Sequence, residues 1–313
     1  MAKRNEGKIM MYIMLIVGFI LLIKGADYFV EASSSIAKAL RVPSIIIGLT
    51  IVAFGTSAPE LAVSVTAAIG GNNDIAVGNV IGSNLFNLLV VLGVCGVILP
   101  MKVKLRWDYI ATLLVAGILY LLIAFDLELS RADGILLLIL FVVFIGLTIR
   151  DALINRIQST EEFELLSAGR CILYIVGGLA AIVFGGDLVV DNASKIASSF
   201  GLSQNLIGLT IVALGTSLPE LVTSVVASKK GENGLAIGNV IGSNLFNILM
   251  VLALSATISP ITINPLSVQD TMILIVSTIV TLILCRRKNE ISRMDGVVML
   301  LIYTAYTAFI IFR

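Results

Sequence analysis

Ile47–Leu61 reads IGLTIVAFGTSAPEL, and Ile207–Leu221 reads IGLTIVALGTSLPEL. Only Phe54/Leu214 and Ala58/Leu218 differ between the two. The decapeptide GNVIGSNLFN then follows unchanged at Gly78–Asn87 and Gly238–Asn247, keeping the same offset of 160 residues. Each copy is therefore one element carrying two motifs at fixed separation, and internal repetition of this kind bears on the whole architecture. Glu60 and Glu220 stand inside otherwise apolar segments, next to Pro59 and Pro219. Charged side chains within membrane spans are rare, face a protein interior or a water-filled path, and count by default as functional candidates.

Composition sets the class. The chain is 58% hydrophobic and 13% charged, with a mean hydropathy of +1.06, against about 45–50% apolar in soluble globular proteins. It reads as an all-α polytopic membrane protein in a lipid bilayer. The balance of 21 basic and 20 acidic residues offers no electrostatic footprint for nucleic acid. There is no histidine, hence no imidazole metal ligand and no usual general base. Cys95, Cys171 and Cys285 are scattered without paired spacing, so neither a disulfide framework nor a thiolate zinc site is expected. Lys3, Arg4 and Lys8 precede an apolar run that continues through Lys24 and Asp27 without a small-residue cleavage site, so it reads as a first span rather than a signal peptide.

Apolar runs of about 20 residues suffice to cross a bilayer as helices. They predict ten spans, near 9–36, 43–69, 75–99, 107–125, 132–149, 171–198, 205–228, 235–259, 267–285 and 295–312. The polar stretch 151–170, with Glu161, Glu162 and Glu164, reads as a cytoplasmic linker between a first five-helix repeat, 1–150, and a second, 171–313. Asp27 matches Asp187 in the first span of each half, and the last spans open with Arg131-Ala-Asp-Gly and Arg293-Met-Asp-Gly. Five crossings per half make the repeats inverted, a common transporter plan. Lys and Arg concentrate in the loops after odd spans: Lys38, Arg41, Lys102, Lys104, Arg106, Arg150, Arg156, Arg170, Lys229, Lys230, Arg286, Arg287, Lys288 and Arg293. Loops after even spans hold only Arg131 and Lys195. The positive-inside rule then places the odd loops in the cytoplasm and both termini outside, although the basic N-terminus counts the other way.

Residues three or four apart share a helix face. Thr56 and Ser57 are expected to converge with Glu60, and Thr216 and Ser217 with Glu220. Ser83 and Asn87 stand four apart in the next span, as do Ser243 and Asn247. Pro59 and Pro219 lack an N–H, which should deprive the carbonyls of Gly55 and Gly215 of their usual partners. Carbonyls freed at membrane depth need something polar to satisfy them. Small Ala53 and Ala213 let backbone approach what is bound. All these groups are oxygen ligands, and calcium takes roughly six to eight oxygens in flexible geometry. Two carboxylates balance one Ca2+, and the same oxygens could hold several Na+ instead. The plain alternative is packing, since Ser, Thr, Asn and Gly often join membrane helices. That suits the glycines, Asn79, Asn239, Asn84 and Asn244 better than the two glutamates. Lys24 and Asp27, three apart, are expected to pair or reach an interface.

GTSAPE and GTSLPE, each followed by GNVIGSNLFN, resemble the two alpha repeats of the Ca2+/cation antiporter superfamily, in its Na+/Ca2+ exchanger branch. The resemblance spans most of the chain. It implies ten transmembrane helices in two inverted repeats, an ion cluster between helices two, three, seven and eight, and alternating access by sliding of helices one and six. It implies Glu60 and Glu220 as main Ca2+ ligands. Thr56, Thr216, Ser57, Ser217, Ser83 and Ser243, with the carbonyls of Ala53 and Ala213, would complete the Na+ and Ca2+ sites. Asn87 and Asn247 fall where some relatives carry aspartate, and asparagine in both resembles K+-independent exchangers. GTSxPE also departs from the motif of H+/Ca2+ exchangers, and no large regulatory domain of the animal type is implied. The expectation is a cell-membrane antiporter with transported Ca2+ and Na+ and no cofactor, electrogenic and not an enzyme. H+/Ca2+ antiport and a cation channel remain the alternatives.

Overall fold

The computed structural model describes residues 2–103, 106–156, 165–200 and 213–313. In the first half, α1 (Ala2–Leu40) is followed by a bent pair, α2 (Ser44–Thr56) and α3 (Ala58–Ile69), then α4 (Asn73–Ile98), α5 (Trp107–Ala124) and α6 (Arg131–Ile154). The second half repeats the order with α7 (Ala168–Ser199), a short α8 (Ala213–Gly215), α9 (Leu218–Lys229), α10 (Asn233–Ile258), α11 (Pro265–Lys288) and α12 (Arg293–Phe312). Eight of these helices are individually long and apolar enough to cross a bilayer, and the α2–α3 pair forms a further, bent span. The expected seventh span ends in α9; its first part, 205–212, lies outside the described residues, as do Glu161, Glu162 and Glu164. α6 continues to Ile154 and α7 begins at Ala168.

Two small strand pairs fix the sidedness. Strand β1 (Met101–Lys102), after α4, pairs with β4 (Glu290–Ile291), after α11, while β2 (Glu128–Leu129), after α5, pairs with β3 (Ile261–Thr262), after α10. The loops after spans three and nine thus share one face of the bundle, and those after spans four and eight share the other. α4 and α10 carry the same decapeptide yet end on opposite faces, so the repeats are inverted.

α4 and α10 form the centre. Every residue from Leu235 to Leu249 is buried, whereas outer helices turn Leu114, Val142, Ile172, Val176 and Leu301 outward, as spans facing lipid do. α1 and α7 cross antiparallel on a glycine seam: a Cβ on Gly25 would lie 2.7 Å from the carbonyl oxygen of Gly178, and one on Gly185 would lie 2.8 Å from that of Gly18. Such approach supplies the van der Waals contact that holds helices together where lipid removes the hydrophobic drive. The Arg131 and Arg293 motifs have a local explanation. Ser130 with Asp133, and Ser292 with Asp295, form capping boxes that satisfy the first free N–H groups of α6 and α12.

Two expectations need correcting. Pro59 and Pro219 stand in the first turns of α3 and α9, where a missing N–H costs nothing. The Gly55 carbonyl is not left free, since backbone N–H groups at the corner return to the carbonyls of Ala53 and Gly55. Asp27 pairs with Lys230 of the other half, at 2.6 Å, rather than with Lys24, because the C-terminal half of α1 lies against the turn that follows α9.

Candidate ion-binding site

α2 stops at Thr56, Ser57 forms a corner at φ −86° and ψ 8°, and α3 leaves at 48° to α2. Ser217 forms the matching corner at φ −92° and ψ 4°. Proline in the next turn explains both breaks: its ring clashes with a continuing helix behind it but suits a new helix in front. Each corner drives its glutamate to the centre of the bundle, and Glu60 and Glu220 are both fully buried.

The hydroxyls converge on them, but across the repeats. Ser57 Oγ donates to Glu220 Oε1 at 3.0 Å, and Ser217 Oγ donates to Glu60 Oε1 at 3.2 Å. The same-helix grouping of serine with glutamate expected from spacing is therefore wrong, because the corner falls between them and ends the regular helical phase. α4 and α10 supply the rest. Ser83 Oγ reaches Glu60 Oε1 at 3.4 Å and Ser217 Oγ at 3.0 Å; Ser243 Oγ reaches Glu220 Oε1 at 3.4 Å and Thr56 Oγ1 at 3.5 Å. Thr56 and Thr216 also cross over, to Asn239 at 3.0 Å and Asn79 at 3.3 Å. The Ala53 carbonyl stands at the corner, accepting from Ser57 N at 3.0 Å. Its twin Ala213 is the residue where description resumes, at the head of α8.

Asn87 and Asn247 are fully buried and each opens a π-helical turn, Asn87–Val91 and Asn247–Leu252. Such bulges often mark functional sites. Asn84 Nδ2 donates to the carbonyl of Asn244 at 3.2 Å, and Asn244 Nδ2 donates to that of Asn84 at 3.2 Å, which locks α4 to α10. Symmetry then fails. Asn247 Nδ2 donates to Asn84 Oδ1 at 3.1 Å, while among the described residues neither amide atom of Asn87 has a partner, nor do Oε2 of Glu60, Oε2 of Glu220 or Oδ1 of Asn247. A buried acceptor without a donor costs about 1–3 kcal/mol, more when charged. Four such oxygens, two on the acids themselves and two on Asn87 and Asn247, could hold a cation. No group of three or more His, Cys, Asp or Glu occurs among the described residues, so the negative charge at the site comes from Glu60 and Glu220.

All twelve residues singled out from the sequence belong to the two corners or to the facing turns of α4 and α10. Spacing undervalued Asn79 and Asn239, which look like packing residues in isolation. The usable signal was the row Asn79, Ser83, Asn87, one face at four-residue steps, repeated as Asn239, Ser243, Asn247.

The chain as a whole is similar to known proteins. The family described as sodium/calcium exchanger protein matches residues 10–150 and 171–312. The chain is 38% identical to the inner membrane protein YrbG of Escherichia coli, over 91% of this chain and 92% of that one. It is 33% identical to the sodium/calcium exchanger MaX1 of Methanosarcina acetivorans, over 94% and 97% respectively. The structure of the sodium-calcium exchanger NCX_Mj soaked with 2.5 mM Na+ and 0.1 mM Ca2+ superposes with a TM-score of 0.84 at 32% identity, covering 96% of this chain and 98% of that one.

Proposed function

Because this chain belongs to the sodium/calcium exchanger family, a family of transporters and not of enzymes, we propose that it moves Ca2+ against Na+ by alternating access. The observation that carries this reading is the crossed pair Ser57–Glu220 and Ser217–Glu60. It holds two carboxylates in one buried cluster of neutral oxygens, where one divalent ion or several monovalent ions can be satisfied but not both. Glu60 and Glu220 would be the shared Ca2+ ligands. Thr56, Thr216, Ser57, Ser217, Ser83 and Ser243, with the Ala53 and Ala213 carbonyls, would complete Na+ and Ca2+ coordination. The neutral pair Asn87 and Asn247 supports exchange without K+, and more than two Na+ per Ca2+ makes the cycle electrogenic. Loop charge supports a cell-membrane location with the odd loops in the cytoplasm and the termini outside.

Purified protein in liposomes, loaded with Na+ and diluted into labelled Ca2+, tests the reading. Uptake should need the Na+ gradient, persist without K+, and respond to a clamped potential. Glu60→Gln or Glu220→Gln should abolish it while the protein still elutes as a folded species. Na+-driven uptake surviving the double variant would sink the assignment, and uptake driven by a pH gradient without Na+ would replace it with H+/Ca2+ exchange.

A further inference from the structure

Asn79 and Asn239 have their side-chain amides committed on both ends. Asn79 Nδ2 donates to the carbonyl of Glu60 at 3.2 Å and to Ser64 Oγ at 2.9 Å. Asn239 Nδ2 donates to the carbonyl of Glu220 at 3.4 Å and to Ser224 Oγ at 3.0 Å. A backbone carbonyl can only accept, so the amide nitrogen must face it and the amide oxygen must turn the other way. On that other side stand the threonines of the opposite repeat, Thr216 at 3.3 Å from Asn79 Oδ1 and Thr56 at 3.0 Å from Asn239 Oδ1. An amide oxygen also only accepts. In these hydrogen bonds each threonine gives its single proton to the asparagine, which leaves its lone pairs for a group carrying positive charge. Helical threonine ordinarily donates to the carbonyl three or four residues back. Thr56 lies 3.5 Å from the Ala53 carbonyl, farther than from Asn239, and that carbonyl already accepts from Ser57 N at 3.0 Å.

We propose that Asn79 and Asn239 are positioning residues that hold the hydroxyl protons of Thr216 and Thr56 away from the ion site, so that both threonines present bare oxygen to the transported cation. The proposal rests on the exchange reading above and deepens it. The chain of inference is symmetric: a glutamate's own backbone orients an asparagine, which orients a threonine of the other repeat, which faces the ion. Na+ depends on neutral oxygens more than Ca2+ does, because Ca2+ draws its binding chiefly from the two carboxylates. Misdirecting a threonine proton should weaken Na+ first.

The test is a double-mutant cycle on the full-length purified protein, read by Na+ and Ca2+ titration calorimetry in detergent and by flux in liposomes. Asn239→Leu should weaken Na+ binding about tenfold, the effect of losing one hydrogen-bonded ligand orientation, with a smaller change for Ca2+. Thr56→Val should do the same, and adding Asn239→Leu to Thr56→Val should change Na+ binding little further, because coupled residues are not additive. A residue with a merely structural role would multiply the two losses. Asn79→Leu with Thr216→Val carries the same expectation where Asn239→Leu misfolds. Multiplied losses, or an unchanged Na+ affinity in the asparagine variants, overturn the positioning role alone. Wild-type protein that binds Na+ with the expected coupling but shows no Na+-driven Ca2+ flux overturns the exchange reading alone, and wild-type protein that binds no Na+ overturns both.

Discussion

The helix after each corner has nearly the same start in both repeats and very different surroundings. In α9, Thr223, Ser224, Ala227 and Ser228 are buried and Val222 and Val226 are half-buried, because α1 lies along it. In α3 the twins Ser64, Ala67 and Ala68 are buried as well, but Ala62, Val63 and Thr66 are exposed where Val222, Thr223 and Val226 are covered. The difference continues into the next helix, where Asn239 is fully buried and Asn79 is only half-buried. Two copies of one sequence element therefore hold two conformational environments at once, one sealed and one open. An inverted repeat can exchange those environments without inventing a new fold, and that exchange is what alternating access requires. α3 runs from the central corner toward the face that carries the loops after spans two, four and eight, so its exposed side leads toward that face, while the ion cluster itself is buried.

The largest expected effect is on chemical access. Thr66→Cys and Val226→Cys occupy twin positions, and both would be made with Cys171→Ser, since Cys95 and Cys285 are buried. A water-soluble thiol reagent should modify the Thr66→Cys protein on the order of tenfold faster or more, because thiol chemistry follows access. Equal rates would break the contrast, and a Thr66→Cys thiol that reacts only with a lipid-soluble reagent would show that α3 faces lipid rather than a water path.

A second contrast lies in the glycines of the shared decapeptide. A Cβ on Gly238 would sit 2.4 Å from the carbonyl oxygen of Ile45 and 2.9 Å from Gly48 Cα, whereas one on Gly78 would meet nothing within 4 Å among the described residues. Backbone cannot step aside easily, so Gly238→Ala should cost about 1–3 kcal/mol. Thermal unfolding in detergent reads that loss, and a Gly238→Ala protein as stable as its parent would mean that α2 can step aside from α10.

The repeat, the inversion and the paired acids were legible because they depend on identity and spacing alone. Glu60, Glu220, the threonines and the serines could be named from that pattern. Their wiring could not. The corner at Ser57 removes the helical phase that relates Thr56 to Glu60, and the hydrogen bonds then run between residues more than 130 positions apart. The prolines marked the breaks, but the partner that the Gly55 carbonyl finds at the corner could not be read from their presence. Asn79 and Asn239 were hidden by composition, because asparagine beside glycine reads as close packing. The π turns at Asn87 and Asn247 leave no mark in residue type at all.

The smallest effect concerns a fastening that one half has and the other lacks. Lys230 Nζ lies 2.6 Å from Asp27 Oδ1 and donates to the Asp27 carbonyl at 2.9 Å, while Ser34 Oγ donates to Glu232 Oε1. Together they tie α1 to the turn after α9 on the sealed side. At the twin positions the turn after α3 carries Gly70 and Asn72, which offer no charge to Asp187, and Ser194 Oγ is buried without a partner among the described residues. The ion pair is about a third exposed on each side, so it contributes about 0–1 kcal/mol and less in salt. Lys230→Ala should therefore move the balance between the two access states by no more than about fivefold, slowing modification of Thr66→Cys and speeding that of Val226→Cys in the same proportion. Should both rates stay fixed, the inequality between the halves resides in the packing of α1 along α9, and the charge at Lys230 follows that packing instead of setting it.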